Sequence, residues 1–178
     1  HHDGWTRQTK AKNGITFDGG ESQNRGWHAT GEIESFVHGE GFDLIVGDAK
    51  EAWGGRLTRC MREVVHVRPG VFVIRDDVAD DEPHTYEFQL HAINRMQTDQ
   101  NERTIFTKEN YSTLMTRFLV PEKIKISQTD QYDPPPRWPP NRNWQNNWHA
   151  TTSIVEPTKE AEFLTVLQVS RPDEDPEP

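Results

Sequence analysis

Three sets of side chains in this sequence could do chemistry: its histidines, its paired carboxylates, and an arginine and tryptophan cluster near the C-terminal third. Eight histidines invite a metal centre, but their spacing does not assemble one. There is no H-x-x-x-H, no H-x-H and no cysteine pair. His84 and His91 stand an odd number of residues apart, so on one strand they would face opposite sides. His38 and His66 fall in other candidate strands, and filling half-buried sheet positions is the simpler role. His1 and His2 open the chain without a methionine. They read as a tag remnant or as the start of a piece of a longer protein, and are poor ligand candidates. Among the acids, Asp76-Asp77 and Asp80-Asp81 are adjacent pairs. Glu32 and Glu34 would share one strand face, which suits acid–base work and equally suits a solvated sheet surface. No G-x-S-x-G, Walker loop, dinucleotide fingerprint or zinc-ribbon spacing is present.

The third set is the most informative. The stretch "YDPPPRWPPNRNWQNNW", residues 132–148, combines Trp138, Trp144 and Trp148 with Arg137 and Arg142. Its five prolines fix φ and remove donors, so it reads as a stiff loop and not a central strand. Tryptophan faces can stack on sugar rings, and arginine forks pair with carboxylate or sulfate. A stiff loop loses less entropy on binding. Packing of the same tryptophans onto the body of the domain competes with this reading.

The elements that must position these groups are strands. Short apolar runs predict strands at 14–18, 30–38, 42–48, 57–68, 71–77, 85–92, 103–108, 112–121, 123–127, 148–155 and 162–169. Phe42, Leu44 and Val46 alternate with polar or small neighbours, the period-two pattern of a half-buried sheet. Pro69-Gly70 marks a tight hairpin, and residues 76–83 read as an acidic connection. The one helix candidate, "VGDAKEAWGG", is stopped by Gly54-Gly55 within about two turns. The predicted fold is therefore all-β, a large antiparallel sandwich of about eleven strands. The tail 171–178 is acidic and proline-rich and reads as a fraying end or a linker.

Composition narrows the function. The 178 residues make one domain of ordinary size. A net charge of −9 argues against nucleic acid, because phosphate binding needs a basic face. A local basic cleft stays compatible with it. No run approaches the roughly 18 apolar residues of a membrane span, and no signal-peptide pattern opens the chain. Cys60 is alone, so no intramolecular disulfide can form. Only 32% of the residues are hydrophobic, with mean hydropathy −0.91. So thin a core means either sheets with one polar face or apolar surface that packs on something else.

Five segments in order, "WTRQTKAKNGITFDGG", "GEIESF", "LIVGDAKEAW", "LTRCMREVVHVRPGVFVIRDDV" and "HTYEFQLHA", resemble the C-terminal β-sandwich of the heparinase II/III-like polysaccharide lyases. The resemblance covers roughly residues 5–95. It implies that residues 1–170 are the sandwich domain of a parent that carries an α/α toroid upstream. That parent would cleave uronic-acid polysaccharides by β-elimination in the bacterial periplasm or outside the cell. A tyrosine and a histidine would handle the proton next to the uronate carboxylate, and an asparagine or similar group would neutralise the carboxylate. The resemblance places those groups upstream or at the sandwich opening, so this chain by itself is expected to be inactive. Its expected partners are an acidic poly- or oligosaccharide and the toroid of the same parent. Candidate substrate contacts are Arg7, Lys12 and Asn13 on the sandwich edge, with Trp138, Arg142 and Trp144 on the stiff loop. Asn13-Gly14 also reads as the turn into the first strand. A carbohydrate-binding module without catalysis, or a purely structural domain, are the other readings.

The same resemblance implies a buried zinc whose histidine ligand lies in an Ala-His-Asn triplet. Here the triplet is "AKN", with Lys12 at the histidine position. Zinc takes imidazole, thiolate or carboxylate donors, and an ammonium would first have to lose its proton. No cofactor is therefore expected in this chain. Either the Lys12 charge fills the cation's place beside a carboxylate, or another ligand set is used. In the resemblance His91 matches a family histidine position, and core hydrogen bonding is its simpler role.

Overall fold

A computed structural model describes residues 2–135, 145–171 and 173. Its twelve strands are β1 Ile15–Phe17, β2 Glu32–Gly39, β3 Phe42–Asp48, β4 Arg59–Val67, β5 Val71–His84, β6 Tyr86–Ala92, β7 Gln97–Asp99, β8 Thr104–Lys108, β9 Thr113–Val120, β10 Ile124–Thr129, β11 Trp148–Ile154 and β12 Thr158–Ser170. They form two antiparallel sheets, one of four strands in the order β1-β6-β11-β10 and one of eight in the order β2-β3-β4-β5-β12-β9-β8-β7. The expected sandwich is what the chain forms.

Alternation builds the core between the sheets. Tyr86, Phe88 and Leu90 point inward from β6, and Phe118, Phe163 and Val78 meet them from β9, β12 and β5, all of them buried. The Phe88 and Phe118 rings pack edge to face at 5.3 Å. The candidate helix at residues 46–55 is a single 3₁₀ turn, Lys50–Trp53. Gly54 ends it at φ 60°, and Trp53 is fully buried. The Asp48 carboxylate accepts the Lys50 amide at 2.7 Å where the chain enters this turn. With eight strands facing four, part of the larger sheet extends past its partner. Its β2 and β3 strands leave Ile33, Phe36, Val37, Phe42 and Ile45 exposed. Phe36 and Ile45 lie on one face of these strands and Val37 and Phe42 on the other, so the low apolar fraction coexists with apolar side chains exposed on both faces.

One expectation needs correction, and one strand was not expected. The acidic connection at 76–83 is strand, because β5 runs on to His84 with β4 and β12 on either side. Arginines opposite its acids make that possible: Arg62 faces Asp76 across the ladder, and the Arg59 Nε donates to Asp77 at 2.8 Å. β7 has no expected counterpart, since three exposed polar residues carry no apolar pattern. Asn13-Gly14 bends the chain just before β1, as expected. Gly14 runs beside β6, its carbonyl accepting the Gln89 amide at 2.8 Å. His84 and His91 lie on different strands, β5 and β6. His1, Arg137, Trp138, Arg142, Trp144 and most of the tail lie outside the described residues.

Candidate functional site

The N-terminal segment crosses the edge of the smaller sheet and is fastened there by local bonds. A 3₁₀ turn, Thr9–Ala11, closes with the Lys12 amide donating to the Thr9 carbonyl at 3.0 Å. The Thr9 hydroxyl accepts the Gln23 amide at 2.8 Å, and the Thr9 amide donates to Ser22 Oγ at 3.2 Å. Arg56 secures that second segment through the Ser22 carbonyl and Glu21. Between the two segments and the inner face of the larger sheet lies a cleft of about 360 Å³. Arg7, Lys12, Asn13, Arg62, Cys60 and Asp76 are among its lining residues. The structure therefore brings three of the six sequence-predicted contacts, Arg7, Lys12 and Asn13, into one cavity. Trp138, Arg142 and Trp144 lie outside the described residues.

Sequence reading missed Arg62 and took Asp76 only as half of the adjacent pair Asp76-Asp77. Asp76 is 2% exposed. Its two oxygens accept Arg62 Nε at 2.6 Å and Nη2 at 2.9 Å. Burial raises the Asp76 carboxyl above the usual carboxylate range, and the Arg62 fork opposes that rise. Arg62 Nη1 reaches on to the Asn13 carbonyl at 3.0 Å. The Asn13 side-chain oxygen in turn accepts two bonds from His91, from its backbone amide and from Nδ1–H, each at 3.0 Å. A continuous chain, Asp76–Arg62–Asn13–His91, thus runs from the larger sheet to the smaller one. Three cations, Arg7, Lys12 and Arg62, face one acid, Asp76, among the lining residues, in a chain of net charge −9. A signal for the pair was present. A hairpin turning at Pro69-Gly70 puts Val67 opposite Val71 and, five residues further, Arg62 opposite Asp76.

Four of the histidines fall into three groups. His91 and His149 stack at 5.7 Å beneath Trp5, whose ring lies 4.8 Å from that of His149. Burial and the neighbouring His149 push His91 down to about 4, so it is neutral at pH 7. His84 bridges Asp18 and Asp80 at 2.6 and 2.8 Å. His38 and Arg68 bind Asp43 on the overhanging part of the larger sheet, at 2.6 and 2.5 Å. Glu32 and Glu34 are exposed.

The implied zinc can be tested against the Lys12 side chain. Its Nζ donates to the Thr6 carbonyl at 2.7 Å, and as an ammonium it has no lone pair to offer a metal until it loses a proton. No carboxylate partner stands beside it among the described residues. Nor, among those residues, is any group of three His, Cys, Asp or Glu placed to hold a metal ion. The position does not fit a zinc ligand. No helix among the described residues is long and apolar enough to cross a membrane.

The family model "Heparinase II/III-like, C-terminal" matches residues 1–160, well past residue 95. No curated protein matches the sequence. Among solved structures, the heparan sulfate lyase HepC of Pedobacter heparinus superimposes with a TM-score of 0.73 at 11% identity, covering 96% of this chain and 26% of that one. A heparinase III superimposes with a TM-score of 0.67 at 14% identity, covering 94% of this chain and 24% of that one. At such identities the likeness shows the fold, and the chain spans about a quarter of these proteins' length. The match over most of its sequence settles the family: the chain belongs to the heparinase II/III-like group, as its C-terminal domain.

Proposed function

We propose that this chain is the sandwich domain of a polysaccharide lyase that cleaves uronic-acid-containing glycans by β-elimination, and that it supplies the cationic wall of the substrate cleft. One observation carries the reading. Arg7, Lys12 and Asn13, adjacent in one fastened segment, line a positive cleft in a family-matched domain whose overall charge is strongly negative. An anionic chain would be drawn to such a cleft and repelled elsewhere. The groups that move the proton next to the uronate carboxylate belong to the upstream part of the parent, so this chain binds without turning over. Trp138, Arg142 and Trp144 are proposed as a second contact on sequence grounds alone. An acidic glycan substrate would place the parent in the periplasm or outside the cell.

The test uses the full chain against heparan sulfate, alginate, hyaluronan and neutral dextran. Retention by acidic glycans over dextran, with no ultraviolet-absorbing unsaturated product, is the expected result. Equal retention by dextran would favour a general carbohydrate-binding module, and robust product formation would refute the inactive-fragment reading.

A further inference from the structure

We propose that Arg62 is a specificity-determining residue of this cleft, which reads a carboxylate or sulfate of the glycan, and that Asp76 is the positioning residue that aims it. The inference rests on the cleft being the glycan site.

A guanidinium carries five N–H donors in a fixed plane. The protein engages Nε and Nη2 with Asp76 and one hydrogen of Nη1 with the Asn13 carbonyl. One N–H on each terminal nitrogen is therefore left, and the Arg62 side chain is 30% exposed where it lines the cleft. Two coplanar donors on adjacent nitrogens match the two oxygens of a carboxylate or two of a sulfate. Asp76 cannot serve as the ligand-reading group itself. It is buried, and both its oxygens are occupied. Its contribution is orientation: a two-point bond fixes the plane of the fork, and the Phe88 ring 5.7 Å below supports it. Because the same fork holds the Asn13 carbonyl, Arg62 also sets the backbone that carries Lys12. A lysine at this position would keep a charge near Asp76 but lose the plane and the two remaining donors.

The experiment is titration calorimetry of the full chain with three probes: a heparan sulfate oligosaccharide, its desulfated form and its carboxyl-reduced form. The variants are Arg62→Lys, the pair Arg62→Gln with Asp76→Asn, and Arg75→Gln as a control. Arg75 lies on the opposite face of the larger sheet, bonded to Glu63 and Glu162. Thermal denaturation checks that each variant folds. Arg62→Lys and the double variant should each bind the intact oligosaccharide about tenfold or more weakly, while Arg75→Gln stays within about twofold. The loss should vanish on the one derivative that lacks the group Arg62 reads, which tells sulfate from carboxylate. Folded variants that bind like the unaltered chain, or that lose affinity equally for all three probes, would overturn the role of Arg62 and leave the cleft reading standing. An unaltered chain that binds none of the probes would overturn both.

Discussion

Arg62 and Asp76 form a two-point ion pair, Nε to Oδ1 at 2.6 Å and Nη2 to Oδ2 at 2.9 Å, on directly opposed positions of β4 and β5. The pair sits where the core of the sandwich gives way to the cleft. Removing one partner of a buried pair leaves the other uncompensated. Arg62→Ala should therefore cost about 3 kcal/mol in urea denaturation at pH 7. The unpaired Asp76 can escape by taking up a proton, since burial already raises its pKa. The penalty should thus shrink as pH falls toward 5. An equal penalty at both pH values would show that Asp76 is not left charged.

His84 and Asp18 make a second, exposed-edge clamp. Burial opposes the His84 charge, but its bonds to Asp18 and Asp80 win and raise its pKa above the ordinary 6.5. For Asp18, burial raises the pKa, and the Thr85 amide and His84 outweigh it, leaving it below the ordinary 3.8. The raised histidine contributes stability fully below about pH 6.5 and loses it as pH climbs through its folded value. The depressed carboxylate contributes above about pH 3.9 and loses it as pH falls. Denaturation midpoints of His84→Asn should fall furthest below those of the unaltered chain between these limits and converge with them in alkali. A constant difference from pH 5 to pH 9 would contradict the clamp.

His91 works in the opposite sense. With its folded pKa near 4, it stays neutral when the unfolded chain would be protonated. Stability is complete above about pH 6.5 and drains away as pH falls toward 4. Replacement by asparagine should flatten this acid limb, read as the change in urea midpoint between pH 7 and pH 4.5. A limb as steep as before would place its origin elsewhere.

Trp53 tests how much the short Lys50–Trp53 turn matters. It is fully buried against Phe17, with ring centroids 5.2 Å apart. Trp53→Ala should cost about 3–5 kcal/mol, and a loss below about 1 kcal/mol would mean that the core closes over the gap.

Much of this fold was legible because period-two patterning reports burial directly. Phe88 and Phe118 announce inward faces in their own strands, and Pro69-Gly70 announces a hairpin. What failed did so for identifiable reasons. Asp76, Asp77 and Asp80 made the second half of β5 look like a connection, because local composition cannot show that Arg62 and Arg59 lie across the ladder to neutralise two of them. Asn13 was read as a turn residue and does lie in the bend before β1, but nothing local in sequence shows that its side chain bonds His91, 78 positions away. Lys12 and Arg7 were legible only through the family pattern. Arg62 was missed although hairpin register alone would have set it opposite an acid.

The reading of this domain depends above all on the cleft being where an acidic glycan binds. The most direct measurement is the affinity of the full chain for a heparan sulfate oligosaccharide, before and after Arg7→Glu and Lys12→Glu are introduced together. Losing two cationic contacts and adding two repulsive charges should weaken binding by about a hundredfold or more, with the effect shrinking as salt is raised. Affinity unchanged by the double reversal, in a variant that folds normally, would contradict it.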